Sequence, residues 1–380
     1  MNLLNNKKIA LIHDWLSGMR GGEKVLEAFC EMFPQAEVFT LLHNPGSVSE
    51  TIEKHLIHTS FVNKLPGKTK KYPYYLPLFP TAIEQFDLNG FDFILSTSSC
   101  VAKGVRTPPG ALHISYVHSP MRYVWDMYED YFGPERAGFL KRLIVPPFAT
   151  YLRMWDVASS PRVDHFIANS AHVARRIRRC YNRNATVIHP LVDTNRFKLA
   201  DSSGDYDLII SALVPYKRVD LAVEAYNQSG KKLIIIGSGP EKQTLQNTAS
   251  ANIQFMDWTS DAELEQTLSD CRVLIFPGEE DFGIVPVEAQ LCGKPVIAYG
   301  VGGALETVIG FDGDNSAKAT GVFFAEQTAE SLQAAIKLSE KVNWNPEAIH
   351  QYAVGFGTDR FKKEIADFID AKAKEFFEKS

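Results

Sequence analysis

The sequence predicts an α/β protein built from two Rossmann-like, doubly wound domains in tandem. Short β-branched or aliphatic runs alternate with amphipathic segments over almost the whole chain, the pattern of parallel sheets covered by helices. At 380 residues the chain exceeds one ordinary core, so two domains are expected. The alternation also breaks once, at a polar stretch spanning 193–205, and then restarts. In the first half the expected strands are Lys8–His13, Glu37–Leu41, Phe91–Ser96, His113–His118 and His165–Asn169. Helical patterns lie between them at Gly22–Met32 and Ser170–Tyr181, the latter opening on Asn169-Ser170, a good capping pair. In the second half, strands are expected at Tyr206–Leu213, Lys232–Gly237, Ile253–Phe255, Val273–Pro277 and Pro295–Tyr299. Helices are expected at Arg218–Gln228, Pro240–Ala249, Asp261–Ser269 and Val285–Leu291. The expected organisation is therefore a first domain over 1–195, a second over 196–350, and a charged amphipathic helix over 351–380.

Composition narrows the function classes. Hydrophobic residues are 45% and charged residues 22% of the chain, a globular balance. A formal net charge of −5 gives no electrostatic reason to bind nucleic acid. Five cysteines (Cys30, Cys100, Cys180, Cys271, Cys292) show no paired spacing, which points to a reducing cytoplasm rather than a disulfide framework or a zinc site. The amino terminus lacks a signal-peptide pattern. No stretch approaches the roughly 20 apolar residues that span a bilayer, and the longest candidates, near Leu143–Ala149 and Val273–Pro277, are interrupted by proline or charge.

Four stretches carry candidate chemistry. The strongest is VLIFPGEEDFGIVPVEAQLCGKPVIAYGVGGALETV, residues 273 to 308. An apolar strand ends at Pro277-Gly278, an acidic glycine-containing turn follows, and a helix begins. Ligands of open α/β sheets collect at such carboxyl-terminal strand ends. The backbone N–H groups of Gly283, Ile284 and Val285 open that helix and suit a diphosphate. Glu280 stands in the turn and Glu288 inside the helix, so that the first can meet sugar hydroxyls and the second a ribose diol. The second stretch, SALVPYKRVDLAVEAY, residues 211 to 226, places Lys217 and Arg218 after a strand, where cations neutralise a leaving diphosphate. The third, HDWLSGMRGGEKVL, residues 13 to 26, puts Gly21-Gly22 at a helix start, where glycine lets backbone approach an anion. The fourth, HISYVHSPMRYVWD, residues 113 to 126, ends a strand on His118. Each feature taken singly also has an ordinary structural explanation; their convergence on strand ends favours a ligand site. The only Asp-x-Asp, Asp312-Gly313-Asp314, reads as a turn, and no metal is expected.

Together these stretches resemble the retaining GT-B glycosyltransferases of the glycosyl transferases group 1 family, which includes glycogen and sucrose synthases. The resemblance implies two Rossmann-like domains facing a central cleft, with the C-terminal helix crossing back to the first. It implies that Glu280 contacts the donor sugar, Glu288 the ribose, and Lys217 and Arg218 the diphosphate. Gly21 and Gly22 would approach the donor, and His118 would hydrogen-bond the donor hexose. One departure stands out: where the family often has Gly-Arg-Leu, this chain has Ser211-Ala212-Leu213. A phosphate-binding cation is thus missing at Ala212, and Arg218 is its expected substitute. The pairing of SALVPYKRVDLAVEAY with YVHSPMRYVWD is similar to mannosyltransferases of O-antigen and exopolysaccharide assembly.

The implied reaction moves a hexose, mannose from GDP-mannose, to a saccharide or lipid-linked saccharide acceptor, with retained configuration and no cofactor beyond the donor. Two stretches, KLPGKTKKYPYYLPLFP (64 to 80) and ARRIRRCYNR (174 to 183), suit an anionic membrane surface. The expected location is cytoplasmic, at the inner face of the membrane. Open alternatives are a UDP-sugar donor, a sugar-nucleotide 2-epimerase, and a non-catalytic nucleotide-sugar-binding protein. A dinucleotide-dependent oxidoreductase is disfavoured, because no Gly-x-Gly-x-x-Gly follows the first strand.

Overall fold

The computed structural model describes residues 2–68, 72–128, 139–200, 203–258 and 260–378. The chain divides into two compact units, one formed by Met1–Leu191 with Asp359–Ser380 and the other by Val192–Thr358. The first unit therefore ends four residues ahead of the expected 195, and residues 351 to 358 stay with the second unit.

In the first unit the described elements run β1 (Ile9–His13), α1 (Gly21–Met32), β2 (Glu37–Thr40), β3 (Ile57–Thr59), α2 (Phe79–Glu84), β4 (Phe93–Ser98) and β5 (Leu112–Val117). They continue with α3 (Phe139–Ser159), β6 (His165–Ala168), α4 (Ala171–Tyr181) and β7 (Ala185–Val187). The seven strands form one sheet in the order β3-β2-β1-β4-β5-β6-β7, every pairing parallel. The second unit runs β8 (Asp207–Ile210), α5 (Val219–Ser229), β9 (Leu233–Ile236), α6 (Lys242–Thr248), β10 (Ile253–Met256), α7 (Asp261–Asp270) and β11 (Leu274–Phe276). Then follow α8 (Ile284–Leu291), β12 (Val296–Tyr299), β13 (Gly321–Phe324), α9 (Ala329–Ser339) and α10 (Pro346–Val354). Its six parallel strands take the order β10-β9-β8-β11-β12-β13. In both sheets the order reverses beside the first strand, between β1 and β4 and between β8 and β11. Such switch points are where ligands of this architecture bind.

Strands buried on both faces cannot alternate, which is why β1 reads as the continuous run IALIH with all five residues buried. The last helix, α11 (Thr358–Phe377), presents Phe361, Ile365, Ile369 and Ala373 at four-residue spacing, all fully buried in the first unit's core with Leu4, Phe29 and Tyr116. Arg360 fastens its start by donating to the carbonyls of His189 (2.8 Å) and Pro190 (3.1 Å).

Four elements depart from what the sequence suggests. Short edge strands β3 and β7 are too brief and too polar to stand out, and β13 begins on a glycine. The apolar stretch around 143–149 is not broken by its prolines: α3 runs through Pro146 and Pro147. Interior proline removes backbone hydrogen bonds, but here the following turns are held by a buried network. Lys103 Nζ lies 2.9 Å from Asp156 Oδ1 on α3 and also donates to the Asp156 carbonyl (2.7 Å) and Ser159 Oγ (2.8 Å). Asp156 Oδ2 accepts from Trp125 Nε1 (2.8 Å) and Tyr181 OH (2.9 Å). Asp156→Ala would strand the Lys103 charge without solvent, and breaking a buried pair in this way typically costs about 3–5 kcal/mol. Urea unfolding of Asp156→Ala is expected to show a loss of that order, with donor-site residues untouched.

Candidate functional site

At the second unit's switch point, the strand end of β11 and the turn after β8 are brought together by glycine. A Cβ on Gly278 would sit 2.8 Å from Lys217 Cα and 2.9 Å from the Tyr216 carbonyl oxygen. Only a missing side chain allows that approach. The 3-10 turn Pro215–Lys217 consequently lies against the strand end, and Lys217 Nζ forms an ion pair with Glu280. Both side chains are mostly shielded, at 15% and 18% exposure, so the pair is screened less than a surface one. The turn carrying Glu280 is clamped from its other side. Gly303 N–H donates to the Glu280 carbonyl (2.8 Å). Gly302, at φ +75, leaves no room for a Cβ, which would fall 2.5 Å from that same oxygen.

Gly283 (φ +94) caps α8 in the left-handed conformation that glycine favours. Ile284 and Val285 open the helix, where unpaired N–H groups and the helix dipole favour an anion. Glu288 lies one turn in. Burial pushes its carboxyl up to about 7 against the pull of the Arg196 guanidinium, with Asp261 and Asp193 adding to the rise. Arg196 is itself tied to α7, through Glu265 (2.7 Å) and Asp261 (3.0 Å). Nothing in the sequence had singled out Arg196.

Arg218 adopts φ 51, ψ 38, a left-handed conformation uncommon outside glycine. Its guanidinium contacts Asp220 (3.2 and 3.3 Å) and Gln327 (3.3 Å), while Gln327 donates to the Pro277 carbonyl (3.0 Å). Arg218 thus fastens the start of α5 to the end of β11. Asp312 Oδ1 accepts from the backbone of Asp314 and Asn315, both 3.1 Å, an Asx turn.

At the first unit's switch point, Gly22 in the first turn of α1 faces two histidines. A Cβ there would lie 3.5 Å from His13 Cε1 and 3.6 Å from His118 Nε2. Gly21 is the first helical residue, following Arg20 as the N-cap. His13 sits at the end of β1, bonded to Thr97 and 3.8 Å from Glu23 Oε1. Burial raises the Glu23 carboxyl's affinity for a proton, but the His13 ring and backbone N–H groups, that of Arg20 (3.1 Å) among them, together outweigh it and hold the pKa below the usual carboxylate range. Beside it, the buried Asp14 carboxylate accepts from the backbone N–H groups of Ser99, Cys100, Val101 and Ala102 at 2.7 to 2.9 Å, fixing the turn after β4. His13, Asp14 and Glu23 escaped sequence reasoning. The capping-box glutamate was disguised by an arginine at the cap position, where serine or threonine is usual.

The stretches expected to meet a membrane are less uniform than their composition. Thr69, Lys70 and Lys71 lie outside the described residues, and Lys68 Nζ is bonded to Asn63 Oδ1 and the His43 carbonyl. In α4, Arg176 is buried on Ser119 and Asp126, whereas Arg175, Arg178 and Arg179 are exposed. Among the described residues no helix is long and apolar enough to cross a membrane.

Two parallel α/β units in one chain are the fold class of the GT-B glycosyltransferases. Residues 19–196 match the family described as Glycosyltransferase Family 4, and residues 192–354 match Glycosyl transferases group 1. The chain belongs to the glycosyltransferases that join these two domains. The structure of sucrose-phosphate synthase from Thermosynechococcus elongatus aligns with a TM-score of 0.71 at 17% identity, covering 99% of this chain and 100% of that one. Anabaena HepE, solved with UDP and glucose, aligns at 0.67 and 17% identity, covering 96% of this chain and 100% of that one. In sequence, the chain is 25% identical over 353 residues to the alpha-1,3/1,6-mannosyltransferase ALG2 of Kluyveromyces lactis, covering 76% of this chain and 66% of that relative. It is 36% identical over 114 residues to a GDP-mannose-dependent phosphatidylinositol monomannoside mannosyltransferase of Corynebacterium glutamicum, covering 26% of this chain and 30% of that relative. The alignments therefore span less than two thirds of either relative's length.

Glu288 yields a pH prediction. A carboxyl raised to about 7 in the folded chain costs stability as pH climbs from the ordinary carboxylate range toward 7. Glu288→Gln is expected to flatten that dependence in thermal unfolding followed from pH 5 to 8. A slope identical to the parent protein's would remove Glu288 as its source.

Proposed function

We propose that the protein transfers mannose from GDP-mannose to a saccharide or lipid-linked saccharide acceptor, retaining anomeric configuration and without a metal. The observation that carries the reading is the Lys217–Glu280 pair held beside the opening of α8. In the free protein the two charges satisfy each other. A bound donor splits their duties: Lys217 turns to the diphosphate, together with the N–H groups of Gly283, Ile284 and Val285, and Glu280 takes sugar hydroxyls. Glu288 accepts from the ribose diol as a carboxylate, so donor binding releases a proton where the free carboxyl is still protonated.

Catalysis in this reading rests on stabilising the leaving diphosphate, which assists departure of the sugar through an oxocarbenium-like state and accepts the acceptor's proton on the same face. His118 hydrogen-bonds the transferred hexose, and Gly21-Gly22 leave room for the donor. Arg218 adds cationic charge in place of the arginine missing at Ala212, but only on release from Asp220. The mannosyltransferase relatives support mannose, and the printed donor of the Corynebacterium enzyme supports GDP-mannose. The HepE complex favours a second reading, a UDP-sugar donor on the same residues. A lipid-linked acceptor places the protein at the inner face of the membrane as a peripheral protein.

Thermal-shift measurement with GDP, UDP and ADP separates the donors, since a ligand at about 100 times its Kd adds roughly 2.7 kcal/mol to folded stability. GDP is expected to give the largest shift; a larger shift with UDP transfers the assignment to the second reading, and no shift with any of the three overturns the donor site. Lys217→Ala and Glu280→Ala are each expected to lower kcat by about 10²–10³, the usual cost of one lost electrostatic contact to a developing charge. Arg218→Gly, which suits the left-handed backbone, is expected to lose less than Lys217→Ala in the same transfer assay. Near-parent rates in both Lys217→Ala and Glu280→Ala would dismiss these residues as the catalytic pair.

A further inference from the structure

Helix α3 has one face that the described residues leave exposed. Ala149, Leu152, Asp156 and Ser159 point inward and are buried. The outward positions carry Phe148, Tyr151, Met154 and Val157, exposed at 45%, 42%, 69% and 40%. No charged side chain stands at the exposed positions between Pro146 and Ala158. The helix's only acid, Asp156, is buried on Lys103, and Arg153 is folded back onto the Val124 carbonyl (2.6 Å).

Charge distribution adds an independent observation. Residues 139 to 183 hold nine lysines and arginines against two acids, in a chain whose overall charge is −5. The exposed members on α4 are Arg175, Arg178 and Arg179. Helix α4 is tied to the end of α3 by Tyr181 OH on Asp156 (2.9 Å), and just beyond it Arg183 donates to the Ser160 carbonyl (3.1 Å). A concentrated basic segment within an acidic protein is poorly suited to a partner resembling the rest of its own surface. It suits a polyanion, and an adjoining apolar helix face narrows this to a polyanion with an apolar interior.

We propose that the outward face of α3 and the arginines of α4 form a docking surface for an anionic lipid bilayer. The helix lies in the plane of the interface, with Phe148, Tyr151, Met154 and Val157 among the acyl-chain boundary groups. Arg175, Arg178 and Arg179 meet lipid phosphates. Apolar burial and cation attraction reinforce one another, the two-component requirement for stable peripheral binding. The proposal rests on the lipid-linked acceptor reading and specifies where the protein would meet that acceptor's membrane.

The test is co-sedimentation of the full chain with vesicles of phosphatidylcholine alone or of an equimolar phosphatidylcholine–phosphatidylglycerol mixture, at low and high salt. Binding is expected only to the mixed vesicles and is expected to weaken with salt. Tyr151→Glu with Met154→Glu, and separately Arg178→Glu with Arg179→Glu, are each expected to weaken it on the order of tenfold or more. Their nucleotide-induced thermal shifts should match the parent protein's. If the glutamate pair on α3 fails to fold, Tyr151→Ser with Met154→Ser carries the same test. Parent protein that stays in the supernatant with mixed vesicles at low salt overturns the proposal, as does unchanged binding by both variant pairs. Concentration-dependent self-association abolished by Met154→Glu would instead assign the face to a second copy of the chain. A thermal shift without vesicle binding sinks the docking surface alone, whereas vesicle binding without any nucleotide shift sinks the donor reading alone.

Discussion

A backbone approach at Gly278, too close for any side chain, is the constraint on which the second unit's site depends. Because nothing projects from that position, the turn ending at Lys217 lies against the end of β11, and the lysine meets Glu280. Gly302 and Gly303 repeat the device on the other side of the same turn. Glycine is costly in entropy, and here it is spent where two loops from different strand crossovers must touch. The chemistry of the turn is therefore a consequence of packing: the acid and the cation meet because backbone, with no side chains between, brings their loops together.

The same economy appears in the first unit in another form. Instead of glycine contacts alone, buried polar groups hold the strand ends. Asp14 gathers four successive N–H groups of the turn after β4, and Glu23 joins the start of α1 to His13 at the end of β1. Fully partnered buried carboxylates fix geometry tightly because leaving any partner unmade is expensive. Gly22 can then present backbone to both His13 and His118. The two switch points are thus shaped by different means, one through missing side chains and one through polar networks.

Glu288 and Arg196 show how the surroundings of a candidate site residue set its charge. Glu288 is a carboxyl that burial leaves close to neutrality at physiological pH, restrained by a guanidinium that α7 holds in place. A group poised in this way responds to small changes in its surroundings, which is the property that makes perturbed carboxyls common at functional positions. Arg218 is a related case, with a backbone conformation that glycine would occupy more cheaply, retained by contacts with Asp220 and Gln327.

Periodicity and turn chemistry made the α/β class, five strands of each half and the Glu280–Glu288 helix legible, since buried parallel strands must be apolar and helix starts must be capped. What escaped were elements whose signal is weak or contradictory: the three-residue edge strands β3 and β7, and α3, whose two prolines argue against the helix that Lys103 and Asp156 nevertheless hold. The sequence by itself determined which residue types stand at strand ends, because local backbone preferences and burial act over a few positions. Tertiary structure alone decided which of them meet. Lys217 with Glu280, Glu23 with His13, and Asp14 with the turn at 99–102 are separated by ten to almost ninety positions. Such contacts arise from sheet order and close packing, which no local pattern encodes.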